Sequence, residues 1–337
     1  MPSLRRWTPP AIPFRAEHVP VGREFLRTAE QRGDVMRLAP GVYIAATAVG
    51  TDARQLHLLQ ALARQLRHEN PIAASHETAA LLHGLPLRSL NAVPVQPRFT
   101  LDPSQGSNRP GTPSIRVVPL PPEHVVTVTH GQLEGLRATD LERTALDLAS
   151  EADLPFALMA LDHAARTIAL QSCIEHELRG GDVNCALLMK GRQRMESRHA
   201  SLSRRGRRRR REALALVDPR HESPGESASC ARIYLAGLPA PVPQAPVVTG
   251  IGVFYGDCYW PEFGVVGECD GALKYAGGTT GASQAAADER RLAEKDRENA
   301  IRRTGLKVVR WMAAEAMYAP DAWLAELASA LRAGGWR

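Results

Sequence analysis

Two folded regions are predicted: an α/β domain over residues 220–337, a mixed sheet flanked by helices, and an α+β region over residues 1–185 ahead of it. Three observations carry this. From about residue 224 the pattern runs helix, three-stranded meander, helix, strand, helix, which reads as an α/β layer with a mixed sheet. Residues 92–135 are Pro-rich runs of short strands set between segments of helical period, the mark of a smaller α+β unit. Between the two, residues 186–219 hold an arginine run that reads as a linker or as the start of a helix continuing through ALALV.

The length of 337 residues suits two domains, each able to bury a core. An apolar fraction of 44% with mixed charge is ordinary for globular protein and speaks against global disorder. There is no run of 18 apolar residues to span a membrane. The opening MPSLRRWTPPAIPF has no apolar core of a signal peptide, so a cytoplasmic location is expected. The five cysteines (Cys173, Cys185, Cys230, Cys258, Cys269) form no CxxC pair, which argues against a disulfide framework or a zinc site. Cys258 and Cys269 fall in strand-like runs and read as small buried side chains.

Along the first region, VGREFLRTAEQRG (21–33) reads as a helix and MRLAPGVYIA as a hairpin turning at Pro40-Gly41. Helical period returns at 52–68, and Ser75 caps another helix that Gly84 and Pro86 stop. Residues 92–135 fit a small antiparallel β region, and 139–178 are helical again. In the second region a helix is expected near 224–237, with strands near 243–249, 251–259 and 263–269. A Gly/Ala-rich loop (276–283), a charged helix (285–304), the strand LKVVRW and a final helix (321–333) follow.

The net charge of +6 is a local matter. Eleven Lys/Arg and one acid lie between Lys190 and Arg211, a charge of +10, so the remainder sums to about −4. Arg204, Arg205, Arg207, Arg208, Arg209, Arg210 and Arg211 fill seven of eight positions, the kind of cluster that phosphate backbones attract through Coulomb force and counterion release. A solvated charge run in a linker is the plainer explanation of the same residues.

Four acids and a lysine suggest chemistry. In VVGECDGALKY, strand alternation turns Val266, Glu268 and Asp270 to one face and Val265, Gly267 and Cys269 to the other. Two carboxylates on one face of an apolar strand need a compensating charge, such as a divalent cation or Lys274 just beyond. Asp257 interrupts the aromatic run FYGDCYW, and the WPEFG turn would pair its strand with the next and bring it near Glu268. Such oxygen ligands suit Mg²⁺ or Mn²⁺, which polarise a phosphate and acidify a water, with Lys274 meeting the developing charge. Structural explanations stand beside these. Ser223-Pro224-Gly225-Glu226 is a helix capping box, Asp270-Gly271 is a common turn, and Asp257 with Glu268 could belong to a salt-bridge network.

Taken together, Glu226, Asp257, Glu268-Cys269-Asp270-Gly271 and the closing EKDRENAIRRTGLKVVRW resemble the PD-(D/E)xK nuclease superfamily, in the branch of the very-short-patch-repair endonucleases. The resemblance covers about 115 residues. It implies a restriction-endonuclease-like fold, Asp257 and Glu268 as metal ligands, Glu226 supporting the metal or its water, catalytic parts for Asp270 and Lys274, and DNA as substrate. Asp270 stands where the superfamily's name has lysine, and cysteines occupy 258 and 269 where larger apolar residues are expected.

Over residues 20–170, MRLAPGVYIA, AASHETAALLHGLPL and TDLERTALDLA are similar to the AbiEi-type antitoxin family, which implies a winged-helix module followed by a second α/β region. The winged helix reads as partial, with one helix ahead of a hairpin whose tip, Ala39-Pro40, has no basic residue to grip phosphate. Arg143, Thr144 and Asp147 read as helix-surface and capping residues, while His76 and His83 have no assigned role. The expectation is therefore a Mg²⁺-dependent DNA endonuclease. The competing expectation is a non-catalytic antitoxin-like regulator that binds DNA or a toxin protein. RNA is disfavoured as substrate because aromatics make up only 5% of the chain. Cleavage of palindromic sites would call for a dimer, although no dimer face is evident.

Overall fold

The computed structural model describes residues 7–88, 94–107, 114–171, 185–271, 297 and 299–337. The chain forms two compact units, residues 1–148 with 202–204, and residues 149–201 with 205–337. The division falls near residue 148, and the helix over 154–170 packs against the helix over 224–235 and against both helices of the arginine segment. Among the described residues, no helix is long and apolar enough to cross a membrane.

In the first unit, β1 (Phe14–Arg15), β2 (Val35–Ala39) and β3 (Val42–Ala45) form a sheet in the order β1-β3-β2. Helix α1 (Arg23–Arg32) ends at Gly33 in the left-handed conformation. Phe14, Val21, Leu26, Ala29 and Val35 close a small core there, with Trp7 edge-on to Phe14 and Phe25. One helix and a hairpin occupy this part, as the residue pattern suggested. A second sheet contains β4 (Ala73–Ala74), β5 (Phe99–Leu101), β6 (Ile115–Val117), β7 (Val125–Thr127) and β8 (Arg137–Thr139), in the order β6-β5-β4-β8-β7. Its pairings β5–β6 and β4–β8 are parallel, so this sheet is mixed where the sequence suggested an antiparallel one. Leu58, Leu62, Ala79, Phe99, Leu101 and Leu136 pack helices α2 (Ala53–Arg67) and α3 (His76–His83) against it. Helix α4 (Leu141–Glu151) follows β8.

The expected helix over 139–178 is two helices among its described residues. It breaks at Ala152-Asp153, and Pro155 sits in the first turn of α5 (Leu154–Leu170), where its missing N–H does no harm. The arginine segment is helical too, as α6 (Cys185–Ser201) and α7 (Arg207–Ala215). Helix α8 (Pro224–Leu235) then leads into β9 (Val242–Thr249), β10 (Gly252–Trp260), β11 (Val265–Asp270) and, further on, β12 (Lys307–Met312). The sheet order is β12-β11-β10-β9, antiparallel through the meander and parallel at β11–β12. Residues 299–303 are helical and precede β12. Helix α9 (Ala313–Tyr318), which the sequence pattern did not suggest, and α10 (Asp321–Ala333) complete the unit.

Strand alternation decides what each sheet face touches. Val265 and Cys269 of β11 join Cys258, Trp260, Val309 and Trp311 in the main core with Ala228, Trp323 and Leu327. Trp311 stacks on Trp323 at 4.4 Å between ring centroids and donates from Nε1 to Ser229 Oγ at 2.7 Å. The opposite face holds a smaller cluster, Val247, Val266 and Ile301. Gly225 sets how closely α8 approaches the sheet. A Cβ there would lie 2.6 Å from Ala313 Cβ and 2.8 Å from Cys269 Sγ.

Helix propensity alone would favour Gly225→Ala by about 1 kcal/mol. The close approach reverses the sign, and overpacking is expected to destabilise the protein by about 1–3 kcal/mol, read by urea denaturation. A stabilised variant would show that α8 can move away from the sheet freely.

Candidate functional site

The face of the second unit's sheet opposite Cys258 and Cys269 collects the acids singled out in the sequence. In the β10–β11 register Cys258 pairs with Gly267, and one step further along the strands Asp257 stands across from Glu268. Glu226 reaches the same place from the first turn of α8. Ser223 Oγ accepts from the Glu226 backbone N–H at 3.2 Å, one half of a capping box. The other half is not made, because Glu226 Oε2 accepts instead from Glu222 N at 2.9 Å and from Gln244 Nε2 at 3.1 Å.

Gln244 is a site residue that sequence reasoning missed. It lies on β9, is buried, and has φ of 50°, a left-handed conformation that costs a non-glycine residue about 1–2 kcal/mol. The conformation delivers its amide between two carboxylates, with Nε2 also 3.3 Å from Asp257 Oδ1. No spacing rule marks this glutamine. Its only signal was an amide between two prolines in a strand-like run.

Asp257 Oδ2 accepts from Cys269 N at 2.8 Å. Burial, then the charges of Glu226 and Glu268, push the Asp257 carboxyl well above the usual carboxylate range, against the pull of the Cys269 N–H and of Arg297. An acid whose folded value is raised destabilises the fold when ionised. That penalty is absent below the ordinary carboxylate value near 3.8, grows as pH rises above it, and levels off once pH passes the raised one.

Two arginines meet the remaining charge, which Lys274 was expected to meet. Lys274 lies outside the described residues. Arg297 Nη2 donates to Glu268 Oε1 and Oε2 at 3.1 and 3.3 Å and to Tyr255 O at 2.7 Å, with its guanidinium 5.8 Å from the Phe254 ring centroid. Arg310 on β12 grips Asp270 through two bonds, Nε to Oδ2 at 2.9 Å and Nη2 to Oδ1 at 2.7 Å. Gln244 therefore joins Glu226 to Asp257, which stands beside Glu268, and Asp270 is drawn to Arg310. Among the described residues, no group of three or more His, Cys, Asp or Glu side chains is placed to hold a metal ion. Asp257 and Glu268, the pair expected to ligate a metal, stand as two carboxylates among these donors.

The arginine segment divides. Arg204, Arg205, Arg207, Arg208, Arg209 and Arg211 are exposed. Arg210 is not: it is 2% exposed, with Nε donating to His199 Nδ1 at 3.0 Å and Nη1 to Ser150 Oγ and Arg205 O, both at 2.8 Å. It fastens α7 to its neighbours and leaves the set of residues that can touch a nucleic acid. Burial and the nearby Arg210, Arg207 and Arg211 lower the His199 pKa, in keeping with a neutral ring accepting at Nδ1. The first turn of α7 holds no acid, and its N-cap, Gly206, offers no side chain to the helix amides. Free amide N–H groups, the positive helix end and exposed guanidinium groups all favour an anion there.

In the first unit, Arg143 is buried, not on the helix surface as expected. Its Nε donates to Asp147 Oδ2 at 2.9 Å and its backbone N–H to Asp140 Oδ1 at 2.7 Å, while the Thr144 and Thr139 hydroxyls bond at 2.7 Å. These residues secure α4 against β8. His76 is buried with φ of 52° and bonds to Ser75 and Arg116, and His83 bonds to the Thr139 carbonyl at 2.7 Å.

A scan against protein-family models finds no match to the chain, and neither does a search of curated proteins.

The arginine division has a direct test. Arg208→Gln should leave thermal stability unchanged and reduce the salt dependence of DNA binding by about one counterion. Arg210→Ala should instead destabilise the protein by about 2–3 kcal/mol through its abandoned partners, read by denaturant titration. Equal stability of the two variants would contradict the structural role of Arg210.

Proposed function

We propose that residues 220–337 form a divalent-cation-dependent nuclease domain of the PD-(D/E)xK type, and that the chain hydrolyses phosphodiester bonds in DNA. The observation that carries this reading is the gathering of Glu226, Asp257 and Glu268 around a strained Gln244, with a carboxyl whose ionisation the fold itself disfavours. Structural salt-bridge networks match acids with bases, and this cluster keeps an excess of acid around Asp257 that a bound cation would satisfy. The sheet order β12-β11-β10-β9, a meander followed by a parallel strand, supports the resemblance in fold.

Asp257 and Glu268 would hold the cation, Mg²⁺ or Mn²⁺. When bound, such an ion polarises a phosphoryl oxygen and lowers the pKa of an attacking water. Glu226 accepts hydrogen bonds from Gln244 and Glu222, which fix its carboxylate beside Asp257 and leave its other oxygen to orient a water. Gln244 keeps the two acids at a set separation. Arg297 and Arg310 supply donors that can face a phosphate group once the acids they now hold are otherwise neutralised. The exposed arginines Arg204, Arg205, Arg207, Arg208, Arg209 and Arg211 would add sequence-independent contacts to the DNA backbone.

A second reading, a non-catalytic antitoxin-like regulator that binds DNA or a toxin protein, is favoured by one observation. Arg297 and Arg310 already pair Glu268 and Asp270 without a metal.

Incubation of supercoiled DNA with the protein and Mg²⁺ or Mn²⁺ separates the two. The nuclease reading expects nicking that chelation stops and that Asp257→Asn and Glu268→Gln each reduce at least about 100-fold. Salt-sensitive DNA binding with no cleavage under either metal, on supercoiled and mismatched substrates alike, would overturn the nuclease reading in favour of the regulator.

A further inference from the structure

The acid cluster leans on a turn that contributes none of its acids. Glu226 Oε2 accepts from the Glu222 backbone N–H at 2.9 Å, so the path of residues 218–222 decides where that donor points. Helix α5, which packs along α8, grips this turn. Asp162 Oδ1 accepts from Asp218 N at 2.9 Å, and Asp162 Oδ2 accepts from His221 Nδ1 at 2.7 Å. One helical turn further on, Arg166 Nη1 donates to Pro219 O at 3.1 Å, and its Nη2 stands 3.5 Å from Glu222 Oε1. Within the turn, His221 N donates to Asp218 O at 3.3 Å, and Arg220 Nη2 donates to Asp218 Oδ2 at 2.6 Å. Two side chains of α5 thus hold Asp218, Pro219, His221 and Glu222.

At the centre of this grip, the Asp162 and His221 side chains are each only 1% exposed. Burial pushes the Asp162 carboxyl up against the pull of His221. Burial also pulls the imidazole down, but the Asp162 charge outweighs it and raises His221 well above its ordinary value. The shared proton therefore stays on the ring. A buried pair of this kind contributes little net stability, because desolvation cancels most of the attraction and apolar residues of equal volume would fill a plain core as well. What the pair supplies is direction. One carboxylate fixes the turn near both of its ends.

We propose that Asp162 and His221 are positioning residues for the carboxylate site: they fold residues 218–222 onto α5 so that the Glu222 N–H meets Glu226 Oε2 and keeps that carboxylate on Gln244, beside Asp257. Both act through Glu222 and not on a reacting group. Without them the Glu226 carboxylate has an ordinary alternative, the Ser223 N–H that would complete its capping box. Closing that box draws the carboxylate back over its own helix and away from Gln244. The inference rests on the nuclease reading only for what the positioned carboxylate then does. The positioning itself stands on the hydrogen bonds.

The test is residue-resolved amide hydrogen exchange on the whole chain, for wild type, His221→Phe and His221→Asn, beside Mn²⁺-dependent nicking of supercoiled DNA. In wild type the Glu222 amide should exchange at least about tenfold more slowly than in an unstructured peptide of the same sequence. His221→Phe keeps the volume and loses the bond to Asp162. It should erase that protection and protect Ser223 instead, with amides of β10 and β11 unchanged and nicking reduced at least about tenfold in kcat. His221→Asn, whose amide can donate from the place of Nδ1, should restore much of both. An unprotected Glu222 amide in wild type would overturn the proposal, and this measurement needs no variant to fold. So would a folded His221→Phe protein that keeps the Glu222 protection. A wild type that never nicks DNA would remove the nuclease reading, and the exchange rates would still decide the positioning.

Discussion

Mutual repulsion among three carboxylates, two buried and one half-buried, is the constraint around which the second unit is built. Glu226, Asp257 and Glu268 come from three elements, and each would be better solvated elsewhere. The fold holds them together with directed donors: Glu222 N and Gln244 on Glu226, Cys269 N and Gln244 on Asp257, and Arg297 on Glu268. Even so, Asp257 resists ionisation. A stability-optimised core would replace such a group with an apolar one. Here it stands next to a glutamine in a left-handed conformation, a second local cost that the surrounding packing sustains.

The packing on the other sheet face makes this arrangement stiff. Gly225 lets the first turn of α8 touch Ala313 and Cys269, which fixes the starting point of the Glu226 side chain. Trp311 stacks on Trp323 and bonds to Ser229, tying β12, α10 and α8 into one layer. Small residues therefore occupy positions 258 and 269 for a reason the sequence alone obscured. The cysteines make room for tryptophans and a close helix, and their thiols are pushed up by burial, Cys269 to about 12. Acid face and apolar face are two sides of the same three strands, so packing precision on one side becomes carboxylate geometry on the other.

Much of this was legible in the sequence because it rests on short-range periodicity. Alternation in VVGECD separated Glu268 from Cys269, and the WPEFG turn placed Asp257 across from Glu268. The final helix, 321–333, has the expected limits. What escaped reading depends on contacts between distant segments. Arg297 and Arg310 looked like members of a charged helix and a strand, and only the fold brings them to Glu268 and Asp270. Gln244 acts through a backbone conformation that no composition rule assigns to glutamine. Arg210 sat in a run of arginines with nothing local to distinguish it, and burial alone sets it apart. Parallel pairing in the first unit was missed because strands of two or three residues do not carry a readable direction.

The most direct measurement of the central claim is thermal melting of wild type and Asp257→Asn, with and without Mn²⁺, from pH 5 to pH 8. If the carboxylate cluster is a cation site, Asp257→Asn melts above wild type without metal, by a margin that widens as pH rises and levels off once Asp257 ionises in the fold. Mn²⁺ then raises the wild-type midpoint and leaves the variant nearly unchanged. Insensitivity of wild type to Mn²⁺ at every pH, with Asp257→Asn melting below it, would contradict the account and leave Asp257 as one member of a structural hydrogen-bond network.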